Sequence, residues 1–182
     1  MTARGRFRRA WREPSGFTLL ELIIVIAIIA VLAALALPRL IETQRDARIA
    51  KAMALHGSLR SAAALARARC ELDLGSATPP AGTDCRNTPP AVLMDGHPVR
   101  IVNRFPAAAA DGIDVAADID MAVGGLVASN GTATNSSSIS VPSRSFDIVG
   151  GTVPNCRVTY LEAGLNGSTV VAPEFSVTTS GC

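Results

Sequence analysis

A single apolar stretch, residues 17–37, constrains the fold of this chain more than any other feature. It lies between Gly16 and Pro38, and its 21 residues carry no charge except Glu21. At about 1.5 Å of rise per residue, a helix of this length would be roughly 31 Å long, which is one crossing of a bilayer core. A carboxylate inside such a segment costs about 2.5–3.5 kcal/mol on insertion scales. Glu21 therefore indicates a cationic partner.

The residues before this stretch determine its orientation. They form a basic leader that also holds one acidic residue, with these charges: Arg4, Arg6, Arg8, Arg9, Arg12 and Glu13. The positive-inside rule then keeps the N-terminus in the cytoplasm and sends the rest of the chain outward. An ordinary secretory signal fits less well, because the apolar run exceeds an h-region and no small-x-small cleavage site follows it. A plain signal anchor is the alternative, and it would leave the cost of Glu21 unexplained.

The residues Gly-Phe-Thr-Leu-Leu-Glu at positions 16–21, followed by an apolar helix and Pro38, resemble the N-terminus of a type IV pilin precursor. The resemblance implies that a prepilin peptidase cleaves between Gly16 and Phe17 and methylates the new amine of Phe17. It also implies that Glu21 pairs with the Phe17 amine of a neighbouring subunit in a filament. Such a protein is a structural subunit and not an enzyme.

The net charge and the length of the mature chain limit what its exposed part can be. The 182 residues hold 17 basic and 15 acidic side chains. The leader takes five of the former and one of the latter, so the mature chain carries 12 against 14, a net charge near −2. This balance gives no support to nucleic-acid binding. About 145 residues follow the apolar stretch, enough for one domain with one core.

Beyond Pro38, where the missing N–H favours a kink, the helical pattern resumes from Arg39 to Cys70. Weakly apolar residues recur there at helical spacing and predict one buried face: Ile49, Ala52, Met53, Leu59, Ala63, Ala66 and Cys70. Arg48, Lys51 and Arg69 lie away from this face. A combined helix of about 55 residues resembles the spine of a pilin. We therefore predict an α+β fold in which this spine packs on an antiparallel β-sheet head.

Four cysteines lie on the outward side, where disulfides are expected. A bridge from Cys70 to Cys85 would close the Gly- and Pro-rich loop after the helix, and a bridge from Cys156 to Cys182 would bracket the C-terminal region. We favour these pairs, although four cysteines permit three connectivities.

Local patterns predict the elements of the head. We expect short strands over residues 99–105, 145–149, 156–161 and 174–179, a short helix over 111–123, and a hairpin signal at Asn166-Gly167. Alternation places Val158 and Tyr160 on one face and Phe175 and Val177 on another. The Ser/Thr/Asn/Gly-rich segment 129–140 reads as a polar loop inside a middle region, 126–142, that has no counterpart in the resemblance.

Two segments of the head resemble the pilins of the mannose-sensitive haemagglutinin (MSHA) type. They are "VRIVNRFPAAAADGID", after the first cysteine pair, and "NCRVTYLEA…VTTSGC" at the C-terminus. The resemblance implies a pilus for attachment to surfaces. A pseudopilin of a type II secretion system and a minor pilin for priming or DNA uptake share the N-terminal features and remain alternatives.

These inferences divide the chain into a cleaved leader (1–16), a transmembrane and polymerisation helix (17–37), the amphipathic half of the spine (38–72) and a globular head (73–182). Before assembly the protein would span the inner membrane once, with its head in the periplasm, and afterwards it would lie in an extracellular pilus. Its expected partners are its own copies, the prepilin peptidase and the pilus assembly machinery of the inner membrane.

The sequence shows no catalytic constellation and implies no cofactor. The two histidines, His56 and His97, occupy a helix face and a turn, positions that favour packing over catalysis or metal binding. Four aspartates within ten residues raise the question of a calcium site: Asp111, Asp114, Asp118 and Asp120. They lack the glycine and glutamate offsets of an EF-hand, so we interpret them as an acidic, solvated face and predict no metal.

Overall fold

The computed structural model describes residues 16–77 and 84–182. The basic leader up to residue 15 and the middle of the loop after the helix, residues 78–83, lie outside the described part. The described residues form two compact units, which divide between Glu42 and Thr43. The first holds the apolar stretch, and the second holds the head with the helical segment that packs on it. The predicted α+β class is confirmed: one long helix precedes antiparallel sheets.

Helix α1 spans Leu19–Gly75 and passes from the first unit into the second. The elements that follow it in the described residues are β1 (Ala91–Met94), β2 (His97–Val102), β3 (Phe105–Pro106), a π-helical turn (Ala110–Asp114), α2 (Met121–Gly124), β4 (Leu126–Thr134), β5 (Ser140–Ile148), β6 (Arg157–Leu161), β7 (Gly164–Asn166), β8 (Thr169–Val171) and β9 (Glu174–Thr178).

The strands form three antiparallel sheets. The first has the order β1-β2-β3, the second β4-β5-β6-β9, and the third is the separate hairpin β7-β8. In the four-stranded sheet, Val158 lies opposite Val177 and Tyr160 opposite Phe175. Directly opposed residues share a face, so these four side chains line the same side of the sheet, against our expectation of two faces. That side faces the core.

The main core lies between α1 and the four-stranded sheet. Small and branched side chains of α1 meet Phe146 and Ile148 of β5 and Val158 and Tyr160 of β6. The α1 residues in this core are Ala52, Leu55, Leu59 and Ala63. Alanine allows a sheet to approach a helix closely, which is why a face of weak hydrophobicity still forms a core. A second cluster joins the end of α1 to β1 and β2 through Ala66, Cys70, Val92, Val99 and Ile101.

The predicted buried face of the helix needs two corrections. Met53 is half exposed, and Leu55 is buried instead. Lys51 and Arg48 do not point away from the head, because their long side chains reach over its edge to backbone carbonyls. The helical spacing is right, but the centre of the buried face is rotated from the position that the sequence pattern indicates.

The helix also ends five residues beyond Cys70. Arg86 explains the extension, since its guanidinium donates to the carbonyls of Asp73, Leu74 and Ser76 at the last turn. These are carbonyls that have no partner within a helix, and a cation at a helix C-terminus is favourable. The disulfide between Cys70 and Cys85 brings Arg86 to this position.

The largest difference from the sequence prediction is the hairpin of β4 and β5. The segment read as a polar loop, residues 129–140, forms most of β4, the turn after it and the first residue of β5. These two strands are the longest among the described residues, nine residues each, in register from Leu126 opposite Ile148 to Thr134 opposite Ser140. The strand expected over 145–149 is present as the second half of β5. β4 is an edge strand, and most of its side chains are exposed, so polar residues are tolerated there. Strand formation in such a segment depends on pairing with β5, which composition does not reveal.

One predicted strand and one predicted helix are also interrupted in the structure. The strand expected over residues 99–105 is interrupted by a tight turn at Asn103 and Arg104, both with positive φ, that joins β2 to β3. The helix expected over 111–123 is replaced by the π-helical turn and the single turn of α2. Asp118 has a φ of +50°, which is incompatible with a continuous right-handed helix through this segment.

Candidate processing and assembly site

The junction between Gly16 and Phe17 is exposed in the structure. Both residues precede the first turn of α1, and the Phe17 side chain is 77% exposed. Apart from its chain neighbours, no atom of the described residues lies within 4 Å of the position that a Cβ on Gly16 would take. The described residues therefore impose no packing on Gly16, and a requirement for glycine there would come from a processing enzyme.

Thr18 organises the helix start that follows. α1 begins at Leu19, and the hydroxyl oxygen of Thr18 accepts a hydrogen bond from the backbone N–H of Glu21 at 3.2 Å. This is the N-cap contact of a Thr-x-x-Glu capping box. Our sequence analysis missed the role of Thr18, although the spacing of Thr18 and Glu21 carries the signal.

Glu21 lies in the first turn of α1 and is exposed. A carboxylate in this position interacts favourably with the positive end of the helix dipole, a stabilisation of about 0.3–1 kcal/mol. That is smaller than the insertion cost of about 2.5–3.5 kcal/mol, so the helix terminus alone does not offset the burial of this charge in a bilayer. Most of the expected insertion cost of Glu21 is therefore not offset by the helix terminus.

The side chains that follow Glu21 have no cover within their own unit. Every Leu, Ile and Val from Leu19 to Leu37 is between 42% and 80% exposed. α1 is long and apolar enough near the N-terminus to cross a membrane. The helix continues through Pro38, whose kink stays a prediction. An apolar surface of this kind is stable only against lipid or against other apolar helices.

The two disulfides of the structure join Cys70 to Cys85 and Cys156 to Cys182. These are the pairs that our sequence analysis favoured among three connectivities. Cys182 is held twice, because its carbonyl oxygen also accepts a hydrogen bond of 2.6 Å from Nε of Arg48 on α1. The second disulfide and this contact connect the last residue to both the sheet and the helix.

Two ion pairs organise the interior of the head. Arg144 of β5 binds both carboxylate oxygens of Asp114 and also Oδ1 of Asn130, and both charged groups are about nine-tenths buried. On the next strand, Nε and a terminal nitrogen of Arg157 donate to the two oxygens of Asp147 at 2.7 and 2.8 Å. Hydrogen bonding to Asp147 raises the pKa of Arg157 above its ordinary value.

Three of the four aspartates considered as a calcium site have separate partners of their own. Asp114 binds Arg144, Asp111 binds Arg100 at 2.8 Å, and Asp120 caps α2 by accepting from the N–H groups of Ala122 and Val123. Among residues 16–77 and 84–182, no three His, Cys, Asp or Glu side chains form a group that could hold a metal ion.

The two histidines also have different surroundings. The ring of His56 packs edge-on against Phe175 with centroids 6.3 Å apart, and His97 starts β2 beside the tight turn at Asp95 and Gly96. His56 thus has the packing role that its helix position predicted, whereas His97 belongs to a strand and not to the turn. The interpretation that neither histidine takes part in catalysis or metal binding stays a prediction.

Comparison with known proteins gives one relevant similarity. Residues 11–37 match the family model of the prokaryotic N-terminal methylation motif. The match includes Gly16, Phe17 and Glu21 and ends just before Pro38. Neither the search of curated proteins nor the search of solved structures finds a match. The motif, together with an apolar N-terminal helix and an α+β head, supports a type IV pilin-like or pseudopilin structural subunit.

Proposed function

We propose that this chain is a structural subunit of a type IV pilus of the MSHA kind, which polymerises through its N-terminal helix into a filament for attachment to surfaces. The observation that carries the proposal is the methylation motif at residues 11–37, which runs directly into an apolar helix that its own unit leaves uncovered. Lipid would cover this helix before assembly, and the helices of neighbouring subunits would cover it afterwards.

The proposed subunit has four parts. Prepilin peptidase removes the leader, residues 1–16, and methylates Phe17. Residues 17–37 cross the inner membrane and later form the core of the filament. Residues 38–72 continue the spine, and residues 73–182 form the head, which is periplasmic before assembly and extracellular in the pilus.

Glu21 is proposed to be the assembly residue. Cleavage creates a positive amine on Phe17, four residues before the carboxylate. Within one chain, the first turn of α1 already holds the Glu21 backbone on Thr18, and the carboxylate projects outward. The amine of an adjacent subunit supplies a cation in apolar surroundings. Removing either partner of such a pair leaves the other charge uncompensated, which strongly destabilises the assembly.

The test compares Glu21→Gln with Glu42→Gln, an exposed glutamate of the same helix outside the apolar stretch. We expect Glu21→Gln to leave membrane insertion, cleavage and both disulfides intact while it abolishes or sharply reduces filaments. Glu42→Gln should assemble as the wild type does. Intact mass would establish a mature chain that begins with N-methylated Phe17, and electron microscopy would count filaments. Wild-type numbers with Glu21→Gln would refute the pairing, and an uncut chain in filaments would refute the processing.

A pseudopilin of a type II secretion system and a minor pilin for priming or DNA uptake are the competing functions, since the methylation motif is common to all three. The two disulfides, the buried Phe105-Pro106 pair and the alanine segment that follows favour the MSHA-like pilus. Deletion of the gene distinguishes them. Loss of long surface filaments and of surface attachment supports the pilus, whereas retained filaments with a secretion or DNA-uptake defect support the alternatives.

A further inference from the structure

We infer that the heads of neighbouring subunits contact each other through an acidic knob, residues 118–123, that inserts into a cationic groove on the next copy. The groove is lined by Arg60, Arg67, Phe105, Pro173 and Phe175 together with small alanines. The inference rests on the proposed filament function and adds to it a specific contact between subunits.

The cationic groove lies between α1 and the strands β3 and β9 and encloses about 340 Å³. Apart from the two arginines, its lining is aromatic and aliphatic, and among the described residues no carboxylate lines it. The guanidinium of Arg67 lies over the ring of Phe105 at 5.2 Å. Arg60 and Arg67 are seven residues apart on the helix, which places them roughly 10 Å from each other along its axis. Such a groove is suited to an apolar group flanked by negative charge.

The charges of the groove are not neutralised within the head. Among the described residues, neither Arg60 nor Arg67 has a carboxylate oxygen within 4 Å, whereas Arg69, Arg86, Arg100, Arg104, Arg144 and Arg157 all form ion pairs. Arginine beside aromatic surface is also the composition that protein interfaces enrich. The guanidinium groups of Arg60 and Arg67 are therefore available to carboxylates of a partner that enters the groove.

The acidic knob has the complementary character on its exposed side, while Lys51 of α1 donates to the carbonyls of Gly124 and Gly125 behind it. Val123 is 86% exposed, more than any other large apolar side chain of residues 16–77 and 84–182. Asp118 and Asp120 are both exposed close to it. The carboxylate of Asp120 accepts from the N–H of Ala122 at 2.8 Å and from that of Val123 at 3.2 Å, and Gly125 ends the turn in the left-handed region. The knob is held by these contacts before any partner binds, which lowers the entropic cost of docking.

A second copy of this chain is the occupant that the charges select. The chain carries both an apolar groove flanked by cations and an apolar knob flanked by carboxylates, and the two surfaces share no residue. A contact between two different surfaces of identical subunits is heterologous, and when its rotation does not close, it repeats along an open helical assembly. A filament requires contacts of this kind.

The direct test places a photo-activated cross-linking amino acid at position 123 of the full chain in assembled filaments. We expect covalent dimers and a ladder of higher species, with the linked peptide containing residues 60–67 or 172–175. The matched control carries the same probe at Val153, which is 59% exposed in a loop, and should give no link to the groove. Links from position 123 to another surface would overturn the contact even though filaments exist.

A charge reversal tests the electrostatic part separately. Arg60→Glu combined with Arg67→Glu should lower filament yield by about tenfold or more, as expected when central contacts of an interface are lost. Adding Asp118→Lys in the same chain should restore a substantial part of the yield, while membrane levels of processed protein stay constant throughout. No rescue, with equal protein levels, would overturn the pairing. Absence of filaments from the wild type would instead overturn the proposed function.

Discussion

Tyr160 of β6 connects the four-stranded sheet to β3, which precedes the knob in the chain. It is fully buried, and its hydroxyl donates a hydrogen bond of 2.6 Å to the carbonyl of Pro106. Two residues further along, the carboxylate of Glu162 accepts from the N–H of Ala108 at 2.7 Å. Burial, and to a smaller extent the charge of Glu162, raises the pKa of Tyr160 well above its ordinary value. We predict the effect of Tyr160→Phe on stability as a function of pH.

The sign and size of the effect follow from the two states. The unfolded chain releases the tyrosine proton at about pH 10, while the folded protein retains it because the folded pKa is raised. The stability linked to this group is therefore fully present below about pH 10 and declines as pH rises toward the folded pKa. At about pH 11 the loss from this group amounts to roughly 1.4 kcal/mol.

Tyr160→Phe should lower the free energy of unfolding by about 1–1.5 kcal/mol at neutral pH, since the Pro106 carbonyl loses a donor. The variant has no proton to release at this position, so the alkaline loss disappears. The stabilities of the wild type and the variant should then converge to within a few tenths of a kcal/mol at about pH 11.

The assay is urea unfolding of the full mature chain in detergent, followed by circular dichroism from about pH 8 to pH 11. The chain has a single tyrosine, so the absorbance of tyrosinate reports on this residue alone. Phe146→Leu is the matched control, because Phe146 is fully buried in the same cluster and does not titrate. Its curve should run parallel to the wild type. A parallel curve for Tyr160→Phe, or tyrosinate formation in the folded protein near about pH 10, would refute the reasoning.

Three further predictions follow from the site and the core. Replacing Cys156 and Cys182 with serine should lower the free energy of unfolding by about 3.5 kcal/mol on the chain-entropy model. Replacing Cys70 and Cys85 should lower it by roughly 3 kcal/mol, because that loop is shorter. Thermal unfolding of both variants without reductant checks which loss is larger. Asp114→Ala should destabilise the head by about 3–5 kcal/mol, because Arg144 stays buried without its carboxylate. If the unpaired charge is the cause, adding Arg144→Met should recover part of the lost stability, whereas a general packing defect would not be relieved. Gly16→Val should block cleavage while leaving the unfolding transition of the head unchanged, since no described atom contacts Gly16. A processed chain on a blot with an antibody against the head would contradict this.

The sequence predicts best where the determinants are local. The 21-residue stretch 17–37, apolar except for Thr18 and Glu21, defines a helix by its length alone. The strands β6 and β9 appear as short runs of branched and aromatic residues with clear ends. The bracketing of two loops by cysteines also led to the pairs present in the structure. At the candidate processing site, Gly16, Phe17 and Glu21 belong to one contiguous motif. Thr18 could have been recognised from its spacing to Glu21.

Features that depend on distant partners were not accessible in the same way. The Ser-, Thr- and Asn-rich strand β4 has no period of its own, and it becomes a strand because β5 provides a ladder of hydrogen bonds. The cationic groove joins α1 residues to strands about 40 and 110 positions later, so no window of sequence contains it. The position of Arg144 beside Asp114 likewise results from the fold and not from proximity in the chain.

The small hairpin of β7 and β8 offers a practical way to see the proposed filament. Its tip, from Asn166 to Thr169, is exposed, and Gly167 has positive φ. Beyond its chain neighbours, no atom of residues 16–77 and 84–182 lies within 4 Å of the position that a Cβ on Gly167 would occupy. The hairpin pairs only with itself among the described strands. A peptide epitope or a dye-accepting cysteine-free tag inserted at Gly167 would lengthen a surface turn without disturbing either core cluster, a change that loop tips tolerate well. Living cells could then be imaged with labelled subunits, and extension of individual filaments could be followed over time.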